Sequence, residues 1–111
     1  MAPLVLFHED ALAERERLQP QDRQAFARAV EKLSVLGQQL PFPHQSAVQG
    51  SGGLRELRPR SGRSRWRGIY ARVGDSFVVL AVVPEAGVDR RGFDRGIAAA
   101  RRRLQEVEGD G

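Results

Sequence analysis

Apolar residues along the chain recur with regular spacings, and these spacings predict the order of its elements. In the first half, an apolar run at residues 3–8 is long enough for one strand. A short helix over 10–18 follows, and a second helix over 20–36 begins at Pro20 and stops at Gly37, residues that suit those positions. One face of the second helix carries apolar side chains three or four positions apart: Phe26, Val30, Leu33 and Leu36. The two helices are expected to form a hairpin.

The second half of the chain predicts a loop, three strands and a helix. Residues 37–53 are rich in glycine, proline and polar residues, which oppose a regular element. Three strands should follow, and the last is apolar on both faces, as a central strand is: 54–59, 66–72 and 76–83. An apolar stripe predicts a helix over 91–107, and residues 108–111 should fray. We predict one α+β domain over 1–111, with an N-terminal strand, a helical hairpin, a three-stranded antiparallel sheet and a C-terminal helix.

The composition supports a core and excludes several kinds of site. Of the 111 residues, 41% are hydrophobic and 29% are charged, as in one folded domain. Because cysteine is absent, disulfides, thiolate nucleophiles and cysteine-based metal sites are excluded. His8 and His44 are too few for a histidine-rich metal site, and no phosphate-binding glycine loop opens a helix. No apolar run approaches a membrane span, so we expect a soluble, cytoplasmic protein with no membrane partner, metal or cofactor.

Positive charge is concentrated in the second half of the chain. Residues 1–53 carry 5 basic and 6 acidic side chains, whereas residues 54–111 carry 13 basic and 8 acidic. Within 55–72 there are seven arginines and a single acid, Glu56. Like charges this dense repel one another unless an anion or an acidic partner lies among them. The cluster indicates a polyanion site or a groove for an acidic partner; the alternative is a solvated basic surface.

Aromatic residues are interleaved with these arginines. On an extended strand, Trp66 and Tyr70 share one face and Arg67 lies on the other. Arginine binds phosphate through a planar fork of donors, and aromatic rings stack on bases. The strands therefore suit RNA, with these candidate binding residues: Arg55, Arg60, Arg65 and Trp66. The alternative for Trp66 and Tyr70 is packing in the core, and for any one arginine it is a solvated side chain.

Three spaced motifs give the chain a resemblance to a known family. They are Leu-Pro-Phe-Pro-His at 40–44, Leu-Arg-Glu-Leu-Arg at 54–58 and Trp-Arg-Gly-Ile-Tyr-Ala at 66–71. Together they resemble the phage-derived, HigB-like branch of the RelE/ParE toxin superfamily. The resemblance implies a RelE/ParE-like fold and the toxin of a type II toxin–antitoxin system, commonly an mRNA endoribonuclease that acts on the ribosome and inhibits translation. It also implies a cognate helix-turn-helix antitoxin as partner.

The resemblance further implies roles for individual residues. Arg58 ends the Arg-Glu-Leu-Arg motif, Arg67 precedes the tyrosine of the last motif, and Tyr70 is that tyrosine; all three are expected to be catalytic. His44 matches the histidine or tyrosine that often follows the second proline, and it is expected to bind RNA. The implied reaction needs no metal: the ribose 2′-OH attacks the adjacent phosphorus, giving a cyclic phosphate and a free 5′-OH. The arginines would clamp the phosphorane, and Tyr70 or His44 would move protons. As exposed residues, the arginines should tolerate truncation without loss of the fold.

One departure from the family pattern concerns the segment after the last strand. The family usually has a lysine-containing stretch there, and this chain has Pro84, Glu85 and Ala86. An acid in place of a base either removes catalysis or moves it to other arginines, for which Arg90 and Arg91 are the candidates. Two alternatives to the nuclease stay open: a ParE-like DNA gyrase poison, which shares the fold, and a catalytically silent relative that binds RNA or protein.

Overall fold

The computed structural model describes residues 3–109, in which eight helices and strands are joined by short loops. The strands are β1 Leu4–Phe7, β2 Gln45–Ala47, β3 Arg55–Leu57, β4 Trp66–Val73 and β5 Ser76–Pro84. The helices are α1 Glu9–Glu16, α2 Pro20–Leu36 and α3 Arg90–Gly109. Two short 3-10 segments, Gly37–Gln39 and Pro59–Gly62, follow α2 and β3. Over residues 3–109, no helix combines the length and the apolar character that crossing a membrane requires.

All five strands form one mixed sheet, in the order β1-β5-β4-β3-β2. The prediction of a three-stranded antiparallel sheet is wrong in two respects. β1 pairs in parallel with β5 and so extends the sheet at one edge. At the other edge, β2 forms inside the predicted loop 37–53 and pairs with β3. Gln45 and Ser46 of β2 have no apolar alternation, so their backbone pairing left no signal in the side-chain pattern.

Helices cover both faces of this sheet, and alternate residues of β5 point to the two sides. Val79 belongs to a first core with Phe26 of α2, whereas Leu80 belongs to a second core with α3. The predicted apolar stripe of α3 supplies this second core: Phe93, Ile97, Ala100, Leu104 and Val107. Gly96 lets α3 lie close to the sheet, because a Cβ there would come within 3 Å of the Val83 side chain. The α3 face of the sheet is therefore tightly closed.

Helices α1 and α3 differ at their ends from the predicted helices, whereas α2 does not. α1 begins at Glu9 because the His8 ring accepts a hydrogen bond from the backbone N–H of Asp10 (3.1 Å) and caps the helix. The expected fraying of 108–111 is wrong for residues 108 and 109, which continue α3, while 110 and 111 lie outside the described residues. α2 has the bounds predicted for it, with Pro20 in its first turn and Gly37 at its C-terminal cap (φ 56°).

A bulge in β5 changes the alternation of its side chains. Ile69 of β4 pairs with Ala81 and Tyr70 pairs with Val79, which leaves Leu80 as the extra residue. Leu80 and Ala81 consequently both contribute to the second core. A bulge adds one unpaired residue and disrupts the ladder locally, so backbone groups nearby need other partners.

An ion pair between α1 and α3 supplies those partners. Arg103 donates to Glu14 over 2.9 Å, and both side chains also reach the backbone of β5. The Glu14 carboxylate accepts the N–H of Val82 (3.0 Å), and Arg103 donates to the carbonyl of Leu80 (2.8 Å). This Glu14–Arg103 clamp ties one helix from each face of the sheet to the bulged strand.

Candidate functional site

A basic pocket of about 340 Å³ opens where α2 faces the segment that follows β3. The described residues that line this pocket include no carboxylate. Its five cationic side chains and one histidine come from α2, from the loop before β2 and from the end of β3 onward: Arg28, Lys32, His44, Arg58, Arg60 and Arg63. The remaining lining is mostly apolar, from Ala25, Ala29 and Leu57.

One wall of the basic pocket is a helix face. Arg28 and Lys32 lie four residues apart on α2, the spacing that brings side chains together. Like charges at this spacing destabilise a helix by roughly 0.2–0.5 kcal/mol. Both side chains are exposed and face a pocket that holds three more cations. An anion between the two walls would turn this repulsion into attraction.

The opposite wall is a tight turn in an uncommon backbone conformation. Arg60 and Ser61 have φ of 55° and 57°, in the left-handed region that residues other than glycine rarely adopt. The backbone N–H and the Nε of Arg63 both donate to the Arg60 carbonyl, over 3.1 and 3.2 Å, and fasten the turn. Strain of this kind persists where the surroundings impose it, and it is concentrated at functional sites.

Arg58 is a fixed cation at the junction of these walls. Its Nε donates to the carbonyl of Pro43 (3.0 Å) and its Nη1 to the carboxylate of Glu56 (3.2 Å). Gly62 makes room for the guanidinium, because a Cβ at that position would lie 2.6 Å from Nη2 of Arg58. With 22% of its side chain exposed, Arg58 is accessible to a ligand, and its guanidinium is already held in position before the ligand binds.

His44 stands beside Arg58 at the end of a closed turn. Its N–H donates to the carbonyl of Pro41 (2.9 Å), and its own carbonyl accepts the N–H of Arg58 (2.8 Å). The ring is half-buried and lines the pocket. Because an imidazole ring can both accept and donate a proton, His44 is the group in this pocket suited to proton transfer.

Arg67 lies inside the protein, and the expectation that it is exposed is wrong. Only 3% of it is accessible, and all three guanidinium nitrogens donate hydrogen bonds. Nε bonds the carboxylate of Glu56 (3.1 Å), Nη1 the carbonyl of Ser64 (2.7 Å) and Nη2 the carbonyl of Gly62 (3.1 Å). Burial, and then the neighbouring Arg58, lower the pKa of Arg67, while Glu56 opposes both effects. Its cation organises the turn that carries the pocket wall.

Tyr70 also lies apart from the basic pocket. It is 2% exposed in the first core, where its ring packs edge-on against Phe77 at 5.8 Å. Burial raises the pKa of the Tyr70 phenol, and the nearby Arg55 opposes that rise. Both residues line a separate groove of about 370 Å³ together with Arg72. The structure therefore separates Tyr70 from Arg58, which the sequence motifs place together.

The other candidate residues lie near α3. Arg65 and Trp66 line a shallow groove with Arg95 and Arg102 of that helix. Trp66 is half-buried and packs against the first core, so it combines a core contact with a partly open face.

Arg90 and Arg91 are exposed in the first turn of α3, where Arg90 pairs with Asp94 at 3.3 Å. Glu85, the acid that departs from the family pattern, donates its backbone N–H to the carbonyl of Arg65 (2.7 Å). Neither arginine lines the basic pocket.

The basic pocket thus combines three predicted residues with three that the sequence analysis did not select. His44, Arg58 and Arg60 were predicted to bind RNA or to act on it, whereas Arg28, Lys32 and Arg63 were not. A signal existed for the first two of these, because basic residues four apart on a predicted helix share one face. Among residues 3–109, no group of three or more His, Asp or Glu side chains could hold a metal ion.

Two solved structures define the class of fold. A double arginine-to-alanine mutant of the E. coli toxin RelE in the free state is 17% identical, with a TM-score of 0.63 over 88% of this chain and 97% of that chain. A chain of the archaeal RelE–RelB complex from Pyrococcus horikoshii OT3 is 19% identical, with a TM-score of 0.57 over 76% of this chain and 96% of that one. This chain has the RelE-like α+β fold.

The sequence itself specifies the family more closely. The family model described as phage derived protein Gp49-like (DUF891) matches residues 13–85, well over half of the chain. The chain therefore belongs to the phage-derived Gp49-like family. A search of curated proteins gives no significant match.

Proposed function

We propose that this chain is a single-domain toxin of a type II toxin–antitoxin system, from the HigB-like branch, and that it cleaves mRNA on the ribosome without a metal. The observation that carries the proposal is the basic pocket, in which five cations and one histidine meet with no carboxylate among the lining residues. Such a pocket suits a phosphodiester, whose negative charge increases at the phosphorane. The RelE-like fold and the Gp49-like family support the same class of protein.

Within this proposal, four residues have distinct roles. Arg58 clamps the reacting phosphate, because its guanidinium is already held in place by Pro43 and Glu56. His44 exchanges a proton with the 2′-OH or with the leaving 5′-oxygen. Arg67 is a positioning residue, since its donors are committed to the turn behind the pocket. Tyr70 supports the sheet from the first core and contacts no substrate.

The proposed partner is an antitoxin with an acidic segment. One of the solved structures of this fold is a RelE–RelB complex, so the fold is compatible with such an assembly. The exposed cations of the basic pocket favour a negatively charged segment over a neutral one and would accelerate its association. Binding across the pocket would block RNA and suppress toxicity.

The test compares growth arrest and ribosome-dependent RNA cleavage for the unmodified protein, His44→Gln and Arg58→Ala. Loss of a general acid–base group or of a preorganised donor should each lower cleavage by on the order of 10²-fold or more. His8→Gln is the matched control, because His8 caps α1 and bonds Glu106 outside the pocket. It should leave cleavage unchanged, with circular dichroism confirming the fold of each variant.

Three outcomes would contradict the proposal. Full toxicity of a folded His44→Gln, Arg58→Ala double variant would remove the basic pocket from the mechanism. Double-strand DNA breaks with intact mRNA would instead indicate a gyrase poison. RNA binding without cleavage by the unmodified protein would indicate a silent relative.

A further inference from the structure

Phe42 stands beside the basic pocket with most of its ring in solvent. It is 70% exposed, the highest value among the large hydrophobic side chains in the described residues. The guanidinium of Arg58 lies 5.3 Å from the ring centroid, a cation–π contact. The same Arg58 lines the pocket, so an aromatic surface lies against one of the cations of the basic pocket.

The backbone around Phe42 holds the ring in place. Pro41 and Pro43 restrict the chain on both sides of it. The turn is closed by the hydrogen bond from His44 to Pro41 (2.9 Å), and Arg58 fastens it through the carbonyl of Pro43 (3.0 Å). Before the turn, Leu40 is buried in the first core and anchors the chain. An exposed aromatic ring on such a constrained turn loses little conformational entropy when it binds a flat partner.

We infer that Phe42 is a stacking platform for a nucleobase of single-stranded RNA, and that the phosphate next to that base enters the basic pocket. The inference rests on the proposed function and assigns to it a residue that contacts substrate. A nucleotide presents a flat ring and a phosphate within one unit, and Phe42 with Arg58 offers the complementary pair. Stacking on an aromatic ring tolerates every base, so the platform orients RNA without reading its sequence.

The charges around Phe42 favour RNA over an apolar protein surface as its occupant. The pocket beside the ring is lined by five cations, and exposed Arg60 and Arg63 would have to be desolvated against an apolar partner. The phosphates of RNA would instead neutralise the charges of these two arginines. Leu4 and Val35, two other exposed apolar residues, lie together on the separate surface around β1 and the end of α2.

The experiment measures binding of a short single-stranded 2′-O-methyl oligoribonucleotide, which cannot be cleaved because its 2′-OH is blocked. Phe42→Ala should weaken its affinity by on the order of tenfold, the usual effect of removing one stacking partner, while Phe42→Trp should retain it. An abasic oligomer of equal length and charge should bind both variants as it binds the unmodified protein. Val35→Ala is the matched control, since Val35 is 68% exposed and lies away from the pocket.

The following results would contradict the inference or the proposal on which it rests. Unchanged affinity of a folded Phe42→Ala would overturn it. An equal loss for the abasic oligomer would show that the substitution only disturbs Arg58. Weaker antitoxin binding with intact RNA binding would make Phe42 a protein contact instead. Failure of the unmodified protein to bind or cleave RNA even with ribosomes present would overturn the proposed function itself, and that result is distinct from a defect confined to the variant.

Discussion

At the scale of single residues, Arg58 and Arg67 show how one residue type acquires two roles. Arg58 directly follows β3, Arg67 lies on the neighbouring β4, and both donate to the carboxylate of Glu56. Arg58 keeps 22% of its side chain exposed and borders the basic pocket, whereas Arg67 keeps 3%. Burial decides the difference, because a guanidinium cut off from water must use its donors inside the protein. Arg67 therefore holds the turn, and Arg58 remains available to a ligand.

This difference predicts a stability defect for Arg67→Ala. The truncation leaves the half-buried Glu56 carboxylate and two turn carbonyls without this partner. The free energy of unfolding should therefore fall by about 3–5 kcal/mol. Arg65→Ala, an exposed neighbour, should change stability by less than about 0.5 kcal/mol. Urea unfolding followed by circular dichroism measures both values. Equal stability of the two variants would mean that Arg67 does not organise the turn.

The buried phenol of Tyr70 predicts a stability loss in alkali. Burial raises the pKa of Tyr70 in the folded protein above the value of about 10 that tyrosine has in an unfolded chain. The resulting stabilisation is complete below that unfolded pKa and disappears as the pH rises through the higher, folded pKa. Tyr70 is the chain's single tyrosine, so Tyr70→Phe should flatten this dependence.

Melting temperatures of both proteins between about pH 8 and pH 11 provide the measurement, chosen to bracket the ordinary tyrosine pKa. The unmodified protein should lose more stability than Tyr70→Phe over that interval. Parallel curves would contradict the assignment of a buried, neutral phenol.

At the scale of elements, β5 depends on side chains from distant helices. β1 pairs with it only as far as Val79, and the bulge at Leu80 follows at once. The Glu14–Arg103 clamp then bonds the backbone of Val82 and Leu80. A strand of this apolar composition is easy to predict, and β4 pairs with it along its length. The groups that take the place of β1 beyond Val79 are not predictable in this way, because they are side chains of α1 and α3.

The clamp predicts strong coupling between its two members. Glu14→Gln and Arg103→Met should each destabilise the protein. The first leaves the partly buried Arg103 without its counter-ion, and the second leaves the Glu14 carboxylate and the Leu80 carbonyl without this donor. The double variant should be more stable than the sum of the two effects predicts, with a coupling energy of roughly 1–3 kcal/mol. Chemical unfolding of the four proteins in a double-mutant cycle measures this coupling. Additive effects would show that the two residues stabilise β5 independently.

At the scale of the whole molecule, the two sides of the sheet differ in what they leave open. α3 closes one side through a continuous apolar stripe and the close approach of Gly96 to Val83. On the other side, α2 covers the first core but stands beside the turn after β3, and the basic pocket lies between them. The arginine cluster of the sequence is thereby divided: part of it lines this pocket, Arg67 is internal, and Arg65 faces the α3 groove.

The sequence by itself determined the features that depend on neighbours along the chain. The helical spacing of apolar residues specified α2 and the apolar stripe of α3, and the residues at the two ends of α2 specified where that helix begins and ends. Continuous apolar character specified β5. All of these signals are local in the sequence. The motif spacing also led to the RelE-like fold. The concentration of arginines after residue 54 marked the basic region for the same reason.

Only the tertiary structure decided what depends on residues that are far apart in sequence. Pairing with β3 created β2 from a polar segment, and pairing with β5 brought β1 into the sheet. Packing placed Arg28 and Lys32 opposite Arg58, and it buried Arg67 and Tyr70 away from the pocket. Burial and ion pairing are set by which distant groups meet, and a one-dimensional pattern of side chains does not contain that information.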